Sequence, residues 1–197
     1  MFVKKIVFGL ALVSSICAAT ASAQSLVGVT AQLDRNLDSK TATVGQVVTA
    51  KLDGAVKTGD GFTLRRGTEL IGKVVAVKAS RGGSPASVSV EFGSASSRDG
   101  RQVPVKATVL AAFPASDVVQ PGDAEVIMGP PPQHVSDDQS IEQLPGTLGK
   151  VAMTSAVDRT VSGTFSEASR NFRLSAGTYF QIGIAPTEIG SATSAAE

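Results

Sequence analysis

Few residues in this chain of 197 amino acids could do chemistry. His134 is the single histidine. A zinc centre or a Ser–His dyad would have to rest on it, with Asp137, Asp138 and Glu142 as neighbouring carboxylates. It follows Pro132 and Gln133 in a proline-rich stretch. A general base must be held within hydrogen-bond reach of the proton it takes, and such a stretch is a poor support. One imidazole without a thiolate does not make a catalytic zinc site. We read His134 as a solvated loop residue. Asp117, Asp123 and Glu125 also gather there, but not at the Asp-x-Asp-x-Asp-Gly offsets of a calcium loop. They read as solvated charge.

Other reactive signatures are missing from the sequence. Gly149-Lys150 lacks the upstream glycine and the following Ser or Thr of a phosphate-binding loop. There is no Gly-x-Ser-x-Gly elbow and no Ser-x-x-Lys pair. The expectation is a non-enzyme that needs no cofactor and no metal. A hydrolase would have only His134 as an obvious base. The remaining candidates are Arg65 and Arg66, which precede Gly67 at an expected turn. Two guanidiniums there could grip a carboxylate or phosphate of a ligand or partner. The plainer reading is that they keep a sheet edge wet and unpaired.

These residues need elements to hold them, and the chain opens with something else. Lys4 and Lys5 precede an apolar run from Ile6 to Ala19, and Ala21-Ser22-Ala23 follows. A positive start, a short apolar run and a small-x-small site read as a cleavable secretory signal over residues 1–23, with cleavage after Ala23. The run is shorter than the roughly 20 apolar residues of a membrane span. Cys17 raises lipidation as an alternative, but bulky Ile16 precedes it, where a lipobox needs a small residue. Cleavage removes the only cysteine, and with it any disulfide or thiolate site. It also removes Lys4 and Lys5, leaving 16 basic against 17 acidic residues. That balance argues against a nucleic-acid binder. With no Trp and one Tyr, an aromatic stacking surface for sugars or single strands is not expected either. The expected location is periplasmic or secreted, with no transmembrane helix after cleavage.

Beyond the signal the pattern is strands and turns. Gln46–Leu52 is β-branched and alternating, and Asp53-Gly54 closes it. Glu69–Lys78 follows, and Arg81-Gly82-Gly83-Ser84-Pro85 breaks the chain. Ser87–Phe92 alternates polar with apolar. After the Asp99-Gly100 turn, Val103, Val105, Ala107 and Val109 predict one further strand. From Pro114 to Pro145 lie six of the nine prolines. Proline lacks the N–H that ladders and helices use, so 114–147 is expected to be a long loop insertion. Strand character returns from Leu148 to about Ala185, and 186–197 reads as a flexible tail. Two segments echo each other: Phe62–Thr68 and Phe172–Thr178 share Phe-x-Leu-x-x-Gly-Thr. They read as equivalent strand–turn–strand corners, the glycine supplying a left-handed residue. The fold class is therefore all-β: a compact barrel or sandwich in a single domain, 24–185, carrying the insertion.

The stretch from Val29 to Val109 resembles the C-terminal barrel of TrbI-type proteins, periplasmic components of conjugation and type IV secretion machines. The resemblance rests on Val29–Arg35, Leu64–Gly72 and Asp99–Val105, which fall in the family's order, with Phe172–Ile184 matching a late corner. It implies a barrel and no catalytic residues. The departures are specific. The family is membrane-anchored through a long linker, whereas a cleavable signal here leads almost directly into the barrel. The family's apolar pore hairpin corresponds to 114–145, which is polar and broken by proline and unsuited to a bilayer. The leading expectation is an exported, non-enzymatic envelope protein with structural or assembly contacts to envelope or secretion-system partners. The alternative is a small-ligand or peptide-binding module that uses the barrel mouth near Arg65 and Arg66.

Overall fold

A computed structural model describes residues 26–57, 62–97, 100–115, 140–156 and 160–185. The expected signal peptide with Cys17, the acidic residues Asp117, Asp123 and Glu125, His134, and the tail 186–197 lie outside the described residues.

The described chain is all-β. In order the strands are β1 (Val27–Leu33), β2 (Leu37–Asp38), β3 (Val47–Leu52), β4 (Val56–Lys57), β5 (Thr63–Leu64), β6 (Glu69–Lys78) and β7 (Ala86–Ser96). Then come β8 (Gln102–Pro104), β9 (Lys106–Phe113), β10 (Ser140–Leu148), β11 (Val151–Ala156), β12 (Gly163–Glu167), β13 (Arg173–Leu174) and β14 (Tyr179–Ala185). The main sheet runs β10-β11-β12-β7-β6-β3-β1-β14-β9, with β8 beside part of β7. It curls into a nearly closed barrel, and β9 and β10 meet across a seam.

Alternation explains the inside and the outside. β3 buries Val48, Ala50 and Leu52 while Val47 and Lys51 face out. β7 buries Ala86, Val88, Val90 and Phe92 in the same way. Every second residue points to one face of a strand, so the interior fills from all walls. At its centre Phe165 stacks on Phe180, ring centroids 5.5 Å apart, and Phe92 tilts toward Phe180 at 6.5 Å. Each ring is almost fully buried, with Met153, Leu70 and Ile182 among the surrounding side chains.

Ladder hydrogen bonds give way to side chains at the seam. The Gln143 carboxamide accepts from Ala112 N–H and donates to Ala112 C=O, both at 2.7 Å. One side chain thus completes a rung that a strand would normally supply. Nearby, Ser155 Oγ donates to Val109 O, and Val109 N–H donates to Ser162 O at 2.8 Å.

Two expectations about strands need correction. Val103–Val109 is not one strand. The chain breaks after Pro104, β8 pairs with β7, and β9 crosses to β14. Alternation cannot reveal a change of partner, because inward residues keep their phase through it. The expected loop insertion 114–147 also ends early, since Ser140–Leu148 forms β10 against β11. Its register with β11 shifts between Gln143 and Leu148.

Candidate functional site

The echoed corners are equivalent in three dimensions, down to individual hydrogen bonds. At the first, β3 ends at Leu52, whose N–H donates to Thr68 O at 2.9 Å and whose C=O accepts from Gly67 N–H at 2.7 Å. At the second, β1 ends at Leu33, whose N–H donates to Thr178 O at 2.8 Å and whose C=O accepts from Gly177 N–H at 2.7 Å. Gly67 and Gly177 both take left-handed backbone, with φ of 82° and 86°, which a side chain would oppose. Thr68 N–H reaches Arg65 O, and Thr178 N–H reaches Ser175 O, both at 3.0 Å.

The equivalence extends beyond the corners. Val29-Thr30-Ala31-Gln32-Leu33-Asp34 matches Val48-Thr49-Ala50-Lys51-Leu52-Asp53 as Val-Thr-Ala-x-Leu-Asp. Val56 pairs with Leu64 as Leu37 pairs with Leu174. Ala50 pairs with Leu70 as Ala31 pairs with Phe180. Even the bulges coincide, between Ile71 and Gly72 in β6 and between Gln181 and Ile182 in β14. β1-β2-β13-β14-β9 is thus a structural repeat of β3-β4-β5-β6-β7. In the antiparallel pairing of β1 with β3, Gln32 sits opposite Lys51, its own counterpart. A local twofold axis passes between them. Asp34 N–H to Thr49 O and Asp53 N–H to Thr30 O, at 2.9 and 2.8 Å, are mates across it.

Beside this axis opens a cleft of about 560 Å³ lined by Gln32, Lys51, Leu52, Asp53, Arg66 and Gly67. Arg66 Nη2 lies 2.8 Å from Asp53 Oδ1. Lys51 Nζ stands 3.6 Å from both Asp34 and Glu69. Arg65 is exposed and makes no ion pair among the described residues. Arg101 lies over the Phe62 ring, 5.2 Å from its centroid, within the range of cation–π attraction.

The second corner is built differently. Asn36 Oδ1 accepts from Ala176 N–H at 2.7 Å. Arg173 places Nε and Nη2 at 3.1 and 2.9 Å from Asp38 Oδ2. The Lys40 backbone N–H donates to Asp38 Oδ1 at 2.9 Å. That hydrogen bond, and after it the Arg173 pair, hold the Asp38 carboxyl below its usual value against the opposing effect of burial.

The structure thus brings the sequence candidates Arg65 and Arg66 together at one corner. Only Arg65 is uncommitted there. Sequence reading missed Lys51, Asp53 and Gln32. The Val-Thr-Ala-x-Leu-Asp repeat was the signal that would have paired them. Among the described residues no three His, Cys, Asp or Glu side chains gather as a metal site. No helix of the described residues is long and apolar enough to cross a membrane. Set against known protein families and curated proteins, the chain matches none.

Proposed function

We propose that this is an exported, non-enzymatic component of the cell envelope that works by protein–protein contact. The observation that carries the reading is the filled interior. Phe92, Phe165, Phe180 and Met153 occupy the barrel's centre, so recognition has to happen on its surface. The ledge around the local twofold offers such a surface, open and lined by both charged and apolar groups. Interfaces of this mixed character suit protein partners. The apolar run and small-residue site at the start support export, and the likeness to TrbI-type barrels supports an assembly role without that family's anchor or pore. The test is co-purification and size exclusion of the mature protein from cell envelopes. The reading expects a defined complex with an envelope protein. An inert monomer with no envelope partner overturns it.

The cleft also favours a second reading, a small-ligand or peptide-binding module. Stabilisation by a ligand in a thermal-shift screen, abolished by Arg65→Ala/Arg66→Ala, would favour that module over the assembly role.

A further inference from the structure

β10 ends the sheet but buries little of itself. β11 beside it buries Val151, Met153 and Ser155. Among the described side chains of β10 none is buried: Ile141, Gln143 and Leu148 are half-buried, and Ser140, Glu142 and Thr147 are exposed. Its register with β11 runs from Ser140 to Gln143 and shifts before Leu148. On the other side the ladder stops. β9 and β10 are the two ends of the strand order. Among the described residues they are bridged by one carboxamide, Gln143 on Ala112. Val109, three residues back on β9, is held without β10. Ser155 Oγ of β11 donates to its C=O, and its N–H donates to Ser162 O ahead of β12. Ser162 N–H is in turn bonded to Val90 O of β7 at 2.8 Å. These bonds bypass β10, so its departure leaves them in place.

A strand with little burial and few bonds belongs to the low-stability end of a fold. When it leaves, the β11 edge and the Ala112 N–H and C=O are open to another strand. We propose that β10 is a placeholder, and that its site accepts an extended segment of a partner protein laid antiparallel to β11. The proposal rests on the contact-protein reading and names the form of the contact. The present occupant sets the class of the incoming one. Ile141, Gln143 and Leu148 stand opposite the buried Ser155, Met153 and Val151, and paired residues share a face. An extended segment with apolar residues at those alternate positions would bury what β10 does not. Main-chain rungs supply the affinity in strand addition of this kind. Gln143 is then an internal competitor, since its carboxamide offers Ala112 the same donor and acceptor as a peptide group.

The experiment uses the mature protein and a fluorescent peptide of residues 140–148 carrying Pro145→Val, so that every residue offers an N–H, followed by anisotropy. Its control is the same peptide N-methylated throughout, which cannot donate to a ladder. The key variant is a lock, Glu142→Cys/Thr154→Cys. These two residues pair in register and are both exposed, and such pairs stand about 4.5–5.5 Å apart at Cα, within disulfide reach. Wild type is expected to bind the peptide and Gln143→Ala to bind it about tenfold more tightly. The oxidised lock should not bind, and reduction should restore binding. The lock carries the test alone if Gln143→Ala does not fold. No binding by wild type, undiminished binding by the oxidised lock, or equal binding of the methylated peptide overturns the proposal. A dimer of the mature protein that the oxidised lock abolishes puts a second copy in the site and overturns the partner assignment. The two readings fail separately. An envelope partner that still co-purifies with the oxidised lock removes this site and leaves the contact role standing.

Discussion

Gln143 closes the barrel, and replacing it measures what the seam is worth. Ala112 is fully buried, and the Gln143 carboxamide satisfies both its N–H and its C=O at 2.7 Å. Gln143→Ala leaves both groups without that partner. A buried donor or acceptor left unpaired costs about 1–3 kcal/mol. Two of them set a ceiling of about 6 kcal/mol. Because Gln143 is itself only half-buried, water can reach part of the gap, and we expect a loss of about 2–4 kcal/mol. That is a large share of the 5–15 kcal/mol typical of a domain. The assay is urea unfolding followed by circular dichroism, with amide hydrogen exchange by NMR. The Ala112 amide should lose protection. The Val109 amide, bonded to the Ser162 backbone oxygen, should keep its own. Gln143→Asn separates reach from polarity: it retains the carboxamide but is one methylene short, and should behave like Gln143→Ala. The reasoning is refuted if Gln143→Ala unfolds within about 0.5 kcal/mol of wild type, the range of ordinary surface changes, while Ala112 stays protected.

Three further outcomes follow from the repeat. A Cβ on Gly72 would stand 2.5 Å from Glu91 O and 2.7 Å from Phe92 Cδ1, so Gly72→Ala should cost about 1–3 kcal/mol through overpacking. The counterparts of Gly72 and Phe92 are Ile182 and Val109, which pair in the same register; Phe92→Val should therefore offset part of the loss, and a double-mutant cycle in urea with no coupling would contradict the volume exchange. Arg65→Ser/Arg66→Ala should change unfolding stability by less than about 1 kcal/mol, because the ion pair it removes is mostly exposed; a larger drop in urea midpoint would mean that the arginines hold the corner. Asp38 titrates below its usual value in the folded state, so its contribution is present at neutral pH and lost as pH falls through that lowered value. Urea midpoints between pH 7 and pH 2 should show less acid loss in Asp38→Asn than in wild type, and identical slopes would contradict this.

The barrel walls were legible because their residues alternate. Gln46–Leu52, Glu69–Lys78 and Ser87–Phe92 lie within or against β3, β6 and β7, since burial on one face dictates the period. The corners were legible through Phe-x-Leu-x-x-Gly-Thr, where a left-handed glycine and a threonine meet a fixed geometric need. The rest depended on contacts far apart in sequence. Nothing local says that β8 and β9 leave for different partners, or that Gln143 will serve as a rung for Ala112. β10 was hidden because Pro145 signals a loop, while its pairing with β11 lies in the register. At the candidate site, Arg65 and Arg66 stood out by charge beside a turn. Lys51 and Asp53 did not, because their importance lies in facing Gln32 and Arg66 across a local twofold that only the fold creates.

The central claim is that this protein works by protein–protein contact on the barrel's surface. Site-specific photocrosslinking in intact cells tests it most directly, with the crosslinking residue placed in turn at Arg65 and at Ser175, exposed equivalents at the two corners. The account predicts a discrete adduct with an envelope protein from at least one of them. No protein adduct from either position would contradict it.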